Sequence, residues 1–189
     1  MTDKSASRKD IAPLRDALCA DLQRHELRHR GVLWAFLYLW ITPGFLALFL
    51  YRLSAACRRQ PGILRHIGTL IWRLNVFLNS CDLAPEAIIG PGCYIPHPMG
   101  IVIGSAIIGA NASILQNVTI GMHYDAPFAS ESYPKLGDNV RVAAGAVILG
   151  PITIGDSATI GANSVVLKDV PARCSAVGVP ARILPHKEN

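Results

Sequence analysis

Hydrophobic residues in the second half of the chain recur at intervals of six. From residue 136 to residue 166 every sixth position is aliphatic, and Gly or Ala follows most of them: Leu136, Val142, Ile148, Ile154, Ile160 and Val166. This period fits neither an α-helix, with about 3.6 residues per turn, nor the simple alternation of an isolated strand. It is typical of a solenoid whose short flat faces meet at turns, with the aliphatic side chain inside each face. The pattern therefore predicts a β-helix of six-residue repeats.

The same spacing continues toward the N-terminus, with one long interruption. Aliphatic residues six apart precede the main run in two groups: Leu83, Ile89 and Ile95, then Ile108, Ile114 and Ile120. The step from Ile120 to Leu136 is sixteen, so part of this segment cannot lie on a face. We expect residues 122–134 to leave the β-helix as a loop, and loops on a rigid scaffold commonly carry functional residues.

The first 80 residues carry a helical pattern instead. Residues 10–30 place apolar side chains on one face at helical spacing: Ile11, Leu14, Leu18 and Leu22. Residues 63–79 form a further amphipathic helix after a turn at Pro61-Gly62. The sequence thus predicts an α-helical N-terminal region (residues 1–80) followed by a β-helix domain (residues 81–189).

A run of 21 residues without a charge lies between these helices, at residues 31–51. Its length would suffice to cross a bilayer, but Thr42-Pro43-Gly44 divides it into two pieces that are each too short. Three interpretations stay open: a helical hairpin buried against other helices or another subunit, peripheral insertion at a membrane surface beside neighbouring arginines, or a transmembrane helix. The N-terminal region is accordingly expected to serve oligomerisation or peripheral membrane contact.

The net charge of +5 is unevenly distributed. Residues 1–80 hold twelve Lys or Arg against five Asp or Glu, whereas residues 81–189 hold six against eight. Because no nucleic-acid-binding motif accompanies the basic residues, nucleic acid is not expected as a partner. An anionic lipid surface, or simply solvated helix faces, explains the excess of positive charge.

Cysteine usage bears on metal binding and location. The five cysteines show no CxxC or other metal-ligand spacing, and their number is odd. This pattern is typical of reduced thiols in a cytosolic protein, so we expect neither a disulfide framework nor a metal site. The polar and charged first thirty residues do not resemble a signal peptide. The expected location is the cytoplasm, with the inner face of the membrane as an alternative.

Three segments resemble the serine acetyltransferases: residues 95–104 (IPHPMGIVIG), 113–121 (SILQNVTIG) and 178–182 (GVPAR). The resemblance runs from about Asp82 to Ile183. It implies a left-handed parallel β-helix that assembles as a homotrimer or a dimer of trimers. It also implies transfer of an acetyl group from acetyl-CoA to a hydroxyl group of the acceptor.

Such a reaction needs a base that titrates near neutrality, because a hydroxyl must lose its proton as it attacks a thioester; histidine suits this role. Four of the six histidines are set aside, since three lie among arginines of the helical region, where solvation is expected, and one lies in the tail: His25, His29, His66 and His186. The resemblance then assigns His97 as the catalytic base, with His123 on the loop as its rival. It assigns Asp82, fifteen residues before His97, as the group that orients and stabilises the protonated imidazole. The alternative is that Asp82 only caps the start of the β-helix.

The resemblance also implies a cofactor site. Four residues match by position the cofactor-contacting sites of related hexapeptide acetyltransferases: Ala144, Ala162, Lys168 and Arg182. The two cations would meet CoA phosphates. The alternative is that both alanines are only small corner residues and that Lys168 is a surface charge.

The acceptor is where the resemblance is incomplete. Serine acetyltransferases carry an aspartate where Pro96 stands, and an Arg-His pair where Ser132-Tyr133 stands. Those groups hold the carboxylate and ammonium groups of serine, so their loss argues against free L-serine as the acceptor. Polar and aromatic loop residues suit a sugar, among them His123, Tyr124 and Tyr133 as candidate substrate-binding residues. We therefore expect a sugar unit of a surface polysaccharide as acceptor, with L-serine as the alternative and a non-catalytic trimeric scaffold as a further one.

Overall fold

The computed structural model describes residues 12–25, 42–123, 125 and 129–185. Within these ranges three α-helices precede the repeat: α1 (Leu14–Arg24), α2 (Pro43–Arg58) and α3 (Ile63–Asn79). The helix predicted over residues 63–79 is present with those bounds. Only the central part of the helix predicted over residues 10–30 is described, as α1. Residues 31–41 of the uncharged run lie outside the described residues.

Among the described residues after α3, fourteen strands of two or three residues are joined by turns and accompanied by a short 3-10 helix at Ser130–Ser132. They are β1 (Asp82–Leu83), β2 (Ile88–Ile89), β3 (Val102–Ile103), β4 (Ile107–Ile108), β5 (Ser113–Ile114), β6 (Thr119–Gly121), β7 (Lys135–Leu136), β8 (Arg141–Val142), β9 (Val147–Leu149), β10 (Thr153–Ile154), β11 (Thr159–Ile160), β12 (Val165–Val166), β13 (Ser175–Val177) and β14 (Arg182–Leu184).

The strands form three sheets that the chain visits in turn, as in a β-helix. Their strand orders are β1-β3-β6-β9-β12, β2-β4-β7-β10 and β5-β8-β11-β13-β14. Every pairing is parallel except that of β13 with β14. Each strand therefore lies above the strand of the preceding coil.

The core contains the aliphatic residues that the six-residue period places inside. Ile103 pairs with Ile120, and Ile120 with Ile148, so identical side chains stack from coil to coil. Each interior aliphatic residue of the predicted repeat is at most 5 % exposed. Because strand side chains alternate between faces, a shift of the strand pairing by one residue would turn all of these stacked aliphatic side chains toward solvent. The period of six therefore sets the register.

The uncharged run is partly accounted for by α2. Helix α2 begins at Pro43, and apolar residues of its first half are buried: Phe45, Ala47, Leu48, Leu50 and Tyr51. This part of the run is buried within the chain, as the helical-hairpin interpretation expects. Among the described residues, no helix combines the length and the apolar character that crossing a bilayer requires.

A buried ion pair ties α1 and α2 to the first coil. The guanidinium of Arg52 donates to both carboxylate oxygens of Asp21, at 2.5 and 3.0 Å, and to the carbonyl oxygens of Ile89 and Gly90. The Asp21 carboxylate also accepts the Cys93 backbone N–H at 3.0 Å. Asp21 is fully buried and Arg52 is 7 % exposed. Two helices and the β-helix thus meet at one charge pair whose hydrogen-bonding groups are largely satisfied.

This arrangement predicts that two isosteric substitutions lower the free energy of unfolding by very different amounts. Asp21→Asn leaves the buried Arg52 charge uncompensated, and we expect it to lower the free energy of unfolding by about 3–5 kcal/mol. Glu86→Gln, at the more exposed Arg58–Glu86 pair, is the matched control and should cost about 0–1 kcal/mol. Urea denaturation of both variants measures the difference. Equal losses of stability would contradict the role given to the buried pair.

Candidate active site

His97 lies in a widened corner of the first coil. Five residues separate the buried Ile95 and Ile101 here, whereas three separate Ile114 and Val118 at the equivalent corner of the next coil. The two additional residues carry the chain outward, and the His97 side chain is exposed. The turn is nevertheless fixed at its end, because the Gly100 N–H donates to the Ser80 carbonyl oxygen at 2.8 Å. His97 therefore stands on a rigid corner and faces solvent in the single chain.

Asp82 occupies β1, directly beside the end of this turn. Its backbone N–H donates to the Ile101 carbonyl oxygen at 2.8 Å, and its Oδ1 accepts the Trp72 Nε1–H at 2.9 Å. Trp72 thereby holds the carboxylate from α3. The described part of the chain contains no ion pair between Asp82 and His97. The structure places the two segments side by side, and the contact between the two side chains stays a prediction.

A cleft of about 860 Å³ opens beside His97. Helix ends and strands of the first coils line it: Arg24, His25, Thr42, Pro43, Gly44, Tyr94, Ile95, Pro96, His97, Ser113 and Arg141. Two of these residues are arginines, and none is an aspartate or a glutamate. The Arg24 guanidinium is held by the Ser113 hydroxyl at 3.0 Å. The described lining of the cleft is therefore cationic and suits a group that carries negative charge.

Gly44 brings the start of α2 against the cleft wall. A Cβ added at this position would lie 1.5 Å from the Ile95 carbonyl oxygen, so no larger residue fits without a shift of the backbone. Because Ile95 and Pro96 lead directly into the His97 turn, the absence of a side chain at Gly44 sets how closely the helical region approaches the candidate base.

His25 is a cleft residue, and the expectation that it is solvated is wrong. Its ring lies 4.9 Å from that of Tyr94 and 5.9 Å from that of Phe45, measured between centroids. Burial, together with the positive charge of Arg24, lowers the pKa of His25 from 6.5 to about 4. Its Nε2 atom is buried and has no hydrogen-bond partner. A neutral imidazole thus stands close to the candidate base. The His66 side chain is exposed, as expected.

The predicted cofactor residues divide into two groups. Ala144 and Ala162 occupy the same corner as His97 on later coils, where Gly145 N–H donates to the Gln116 carbonyl oxygen and Asn163 N–H to that of Ala144. With coils about 4.8 Å apart, the corner of Ala162 lies about 14 Å from that of His97. The extended pantetheine arm of CoA could lie along this edge of the β-helix. Lys168 and Arg182 are both exposed and lie elsewhere, after β12 and at the start of β14.

The structure does not bring the two predicted loop residues that it describes, His123 and Tyr133, into the cleft of the single chain. The His123 side chain is 59 % exposed, and its Nδ1 lies 4.0 Å from the Asp125 carboxylate. Tyr133 packs on the β-helix, where a Cβ added at Gly104 would lie 2.4 Å from its ring. Tyr124 lies outside the described residues. Neither His123 nor Tyr133 lines the cleft within one chain.

Several cleft residues were missed by the sequence reasoning. Tyr94, Ser113 and Arg141 lie in register on one sheet, each directly before a buried aliphatic residue. The outward positions of the six-residue period could have identified them. Arg24 and Trp72 lie in the helical region, where no periodic signal relates them to the β-helix.

The thiols do not form a candidate site. All five cysteines are free, and burial raises the pKa of Cys81 and of Cys93 to about 12, so both stay protonated. Within the described ranges, no group of three or more His, Cys, Asp or Glu side chains is arranged to hold a metal ion.

Comparison with known protein families and sequences identifies similar proteins. Residues 133–168 match the family model for the bacterial transferase hexapeptide (six repeats). The chain is 39% identical over 147 residues to the serine acetyltransferase of Helicobacter pylori strain J99, covering 77% of this chain and 84% of that protein. It is 41% identical over 143 residues to that of Synechococcus elongatus, covering 75% of this chain but 57% of that protein. The chain thus spans little more than half the length of some relatives.

Solved structures give the same picture. Neisseria gonorrhoeae serine acetyltransferase aligns with a TM-score of 0.81 and 32% identity, covering 93% of this chain and 68% of that one. A soybean serine acetyltransferase complexed with serine aligns with a TM-score of 0.80 and 39% identity, covering 90% of this chain and 69% of that one. A serine acetyltransferase in complex with CoA aligns with a TM-score of 0.73 and 36% identity, covering 90% of this chain and 69% of that one. The fold is a left-handed parallel β-helix after a helical region, as predicted.

The neutral state of His25 predicts a pH dependence of stability. As the pH falls from 6.5 toward 4, the unfolded chain binds a proton at this position and the folded chain does not, so the free energy of unfolding decreases. In His25→Asn this contribution is absent, and the stability profile between pH 6.5 and 4 should be flatter than that of the wild type. His66→Asn, at an exposed histidine, is the control. Parallel profiles for His25→Asn and the wild type, measured by urea denaturation, would refute the assignment.

Proposed function

Because the chain belongs to the serine acetyltransferase family, we propose that it is an acetyl-CoA-dependent O-acetyltransferase. Family membership confirms the resemblance drawn from the segments around His97. The observation that carries the proposal is the placement of His97 on a rigid corner, next to the cleft and on the same edge as Ala144 and Ala162. Acetyl-CoA and the acceptor can approach one imidazole from these two sides.

His97 acts as the general base in the proposed reaction. Its imidazole takes the proton of the acceptor hydroxyl while that oxygen forms a bond to the thioester carbon. The carbon–sulfur bond then breaks, and the imidazolium returns the proton to the departing CoA thiolate. Asp82 stabilises the imidazolium and is itself held by Trp72. Trp72 is thus a positioning residue that acts through Asp82.

L-serine is the acceptor that the relatives support best. The similar proteins are named serine acetyltransferases, and one neighbouring structure is a complex with serine. No comparison supports the expectation of a polysaccharide sugar. We therefore propose serine O-acetylation as the primary activity, with the serine carboxylate bound by the cleft arginines Arg24 and Arg141.

The charges of the cleft favour a second candidate, a hydroxylated acid without an ammonium group. A zwitterion needs an anionic partner for its ammonium group when it leaves water. The described lining of the cleft includes no carboxylate, and Pro96 stands where the resemblance expects an aspartate. Within one chain, the cleft can therefore pair the carboxylate of an acceptor but not its ammonium group.

The proposed assembly is a homotrimer. Family membership supports it, because hexapeptide-repeat transferases are generally trimers. A neighbouring protomer would face the exposed corner of His97 and could supply groups that one chain lacks, including a partner for an ammonium group. A dimer of trimers remains the larger alternative.

Removal of the candidate base tests the mechanism. His97→Ala should lower kcat by about 10²–10⁴-fold, because general-base catalysis typically contributes that much. His123→Ala, at the rival base, should retain most of the activity. Release of CoA thiol in the presence of acceptor measures both variants. Wild-type kcat for His97→Ala together with loss of activity in His123→Ala would transfer the role to the loop.

An acceptor series separates the two proposed functions. 3-Hydroxypropionate retains the hydroxyl and carboxylate of serine without its ammonium group, whereas ethanolamine retains the hydroxyl and ammonium groups without the carboxylate. Serine O-acetylation predicts the highest kcat/KM for L-serine and low values for both analogues. The second candidate predicts that 3-hydroxypropionate equals or exceeds L-serine. Preferred acetylation of a sugar would restore the polysaccharide expectation, and no thiol release with any acceptor would favour a non-catalytic scaffold.

A further inference from the structure

Helix α3 is oriented with its polar side inward. Its buried residues are Gly68, Asn75 and Asn79. Ile71, Trp72 and Val76 are half-buried, and the other seven large apolar residues of α3 are exposed: Ile63, Leu64, Ile67, Leu70, Leu74, Phe77 and Leu78. Phe77 is 83 % exposed, Ile63 72 % and Leu70 69 %. A surface helix ordinarily buries its apolar stripe and exposes its polar residues, so α3 has the reverse arrangement.

The seven exposed apolar residues form one continuous face, which we call the α3 face. At about 100° per residue they fall within a sector of about 140°, and no charged residue lies inside that sector. At about 1.5 Å per residue the face is about 22 Å long. An apolar surface of this kind marks an interaction site rather than ordinary scattered exposure.

Hydrogen bonds on the opposite side hold α3 in this orientation. The Asn75 side-chain amide donates to the Ala47 carbonyl oxygen at 3.0 Å, and the Asn79 amide donates to Asn75 Oδ1 at 2.8 Å. The Ser54 hydroxyl donates to the Gly68 carbonyl oxygen at 2.9 Å. A Cβ added at Gly68 would lie 2.8 Å from the Ser54 carbonyl oxygen, so α2 and α3 pack closely there. Rotating α3 to bury its apolar face would break the contacts of Asn75 with Ala47 and of Gly68 with Ser54.

The charges around the α3 face are positive. Residues 42–80 contain five arginines and no aspartate or glutamate. Arg52 and Arg58 are in ion pairs. Arg73 lies about 40° beyond the edge of the α3 face, is exposed, has no ion-pair partner among the described residues, and stacks its guanidinium over the Trp72 ring, whereas the exposed Arg65 projects to the opposite side of α3. A surface that covers the α3 face would therefore meet unpaired positive charge.

We propose that the α3 face binds the surface of a bilayer that contains anionic lipids, with α3 lying in the plane of the headgroups. Such a surface accepts the apolar side chains below the headgroups and pairs the exposed Arg73 at the edge of the face with lipid charge. A two-fold contact with a second copy would bring the Arg73 residues of both copies together without an acidic residue of α2 or α3 to pair them. The charge distribution thus favours lipid over a two-fold contact between copies through this face.

Vesicle binding by the full-length protein tests the proposal. The wild type should co-sediment with vesicles of phosphatidylglycerol and phosphatidylcholine, bind pure phosphatidylcholine much more weakly, and dissociate as salt rises. Leu70→Gln with Phe77→Gln should lower the bound fraction at least tenfold. Arg73→Gln should lower it about fivefold and weaken the salt dependence. All these residues are exposed, and circular dichroism verifies that each variant is folded.

Ile183→Gln with Leu184→Gln is the matched control, because these apolar residues are exposed to a similar degree on β14. This variant should bind vesicles as the wild type does. Absence of binding by the wild type, or equal binding by the α3 variants, would overturn the proposal. The proposal would also be overturned if the wild type did not bind vesicles but formed an oligomer in sedimentation equilibrium that the α3 substitutions dissociate. A second copy of the chain would then occupy the α3 face.

Discussion

Each face of the β-helix buries one aliphatic side chain and, two residues before it, a second apolar or small side chain, as Ile101 and Ile103 do, and this narrow interior determines where the other residues lie. Ile103, Ile120 and Ile148 stack directly on one another, so the corners between sheets also stack. The corner of His97 is the exception, because two additional residues push it outward from an otherwise regular edge. A regular scaffold thereby presents one irregular and accessible turn, and the candidate base lies on it.

A buried ion pair helps to hold the helical region against the site. Arg52 joins Asp21 to the carbonyl oxygens of Ile89 and Gly90, which fixes α1 and α2 on the first coil. The end of α1 then carries Arg24 and His25 into the cleft. A buried ion pair contributes little net stability compared with apolar packing, but its directional hydrogen bonds define one geometry. Here that geometry decides which side chains face His97.

The β-helix could be predicted in detail because its signal is local and repeated. Each aliphatic residue from Leu83 to Val166 that the period placed inside is buried, since one register satisfies all of them. The site could be predicted only in part. His97 and Asp82 lie in motif segments, whereas Arg24, His25 and Trp72 reach the site through helix packing, which leaves no period in the sequence. His25 was expected to be solvated because arginines neighbour it in the sequence, but the rings of Phe45 and Tyr94 lie against its imidazole.

Family membership constrains the reaction more tightly than the acceptor, because the two depend on different parts of the molecule. The edge that carries His97, Ala144 and Ala162 is part of the repeat, so a chain that keeps the fold keeps this edge. The acceptor cleft is formed by helix ends and by the widened corner, where single substitutions change the charge. Pro96 adds no charge to that corner, while Arg24 and Arg141 leave the cleft positive. The described lining of the cleft therefore offers positive charge to a carboxylate and includes no acidic residue that could pair an ammonium group.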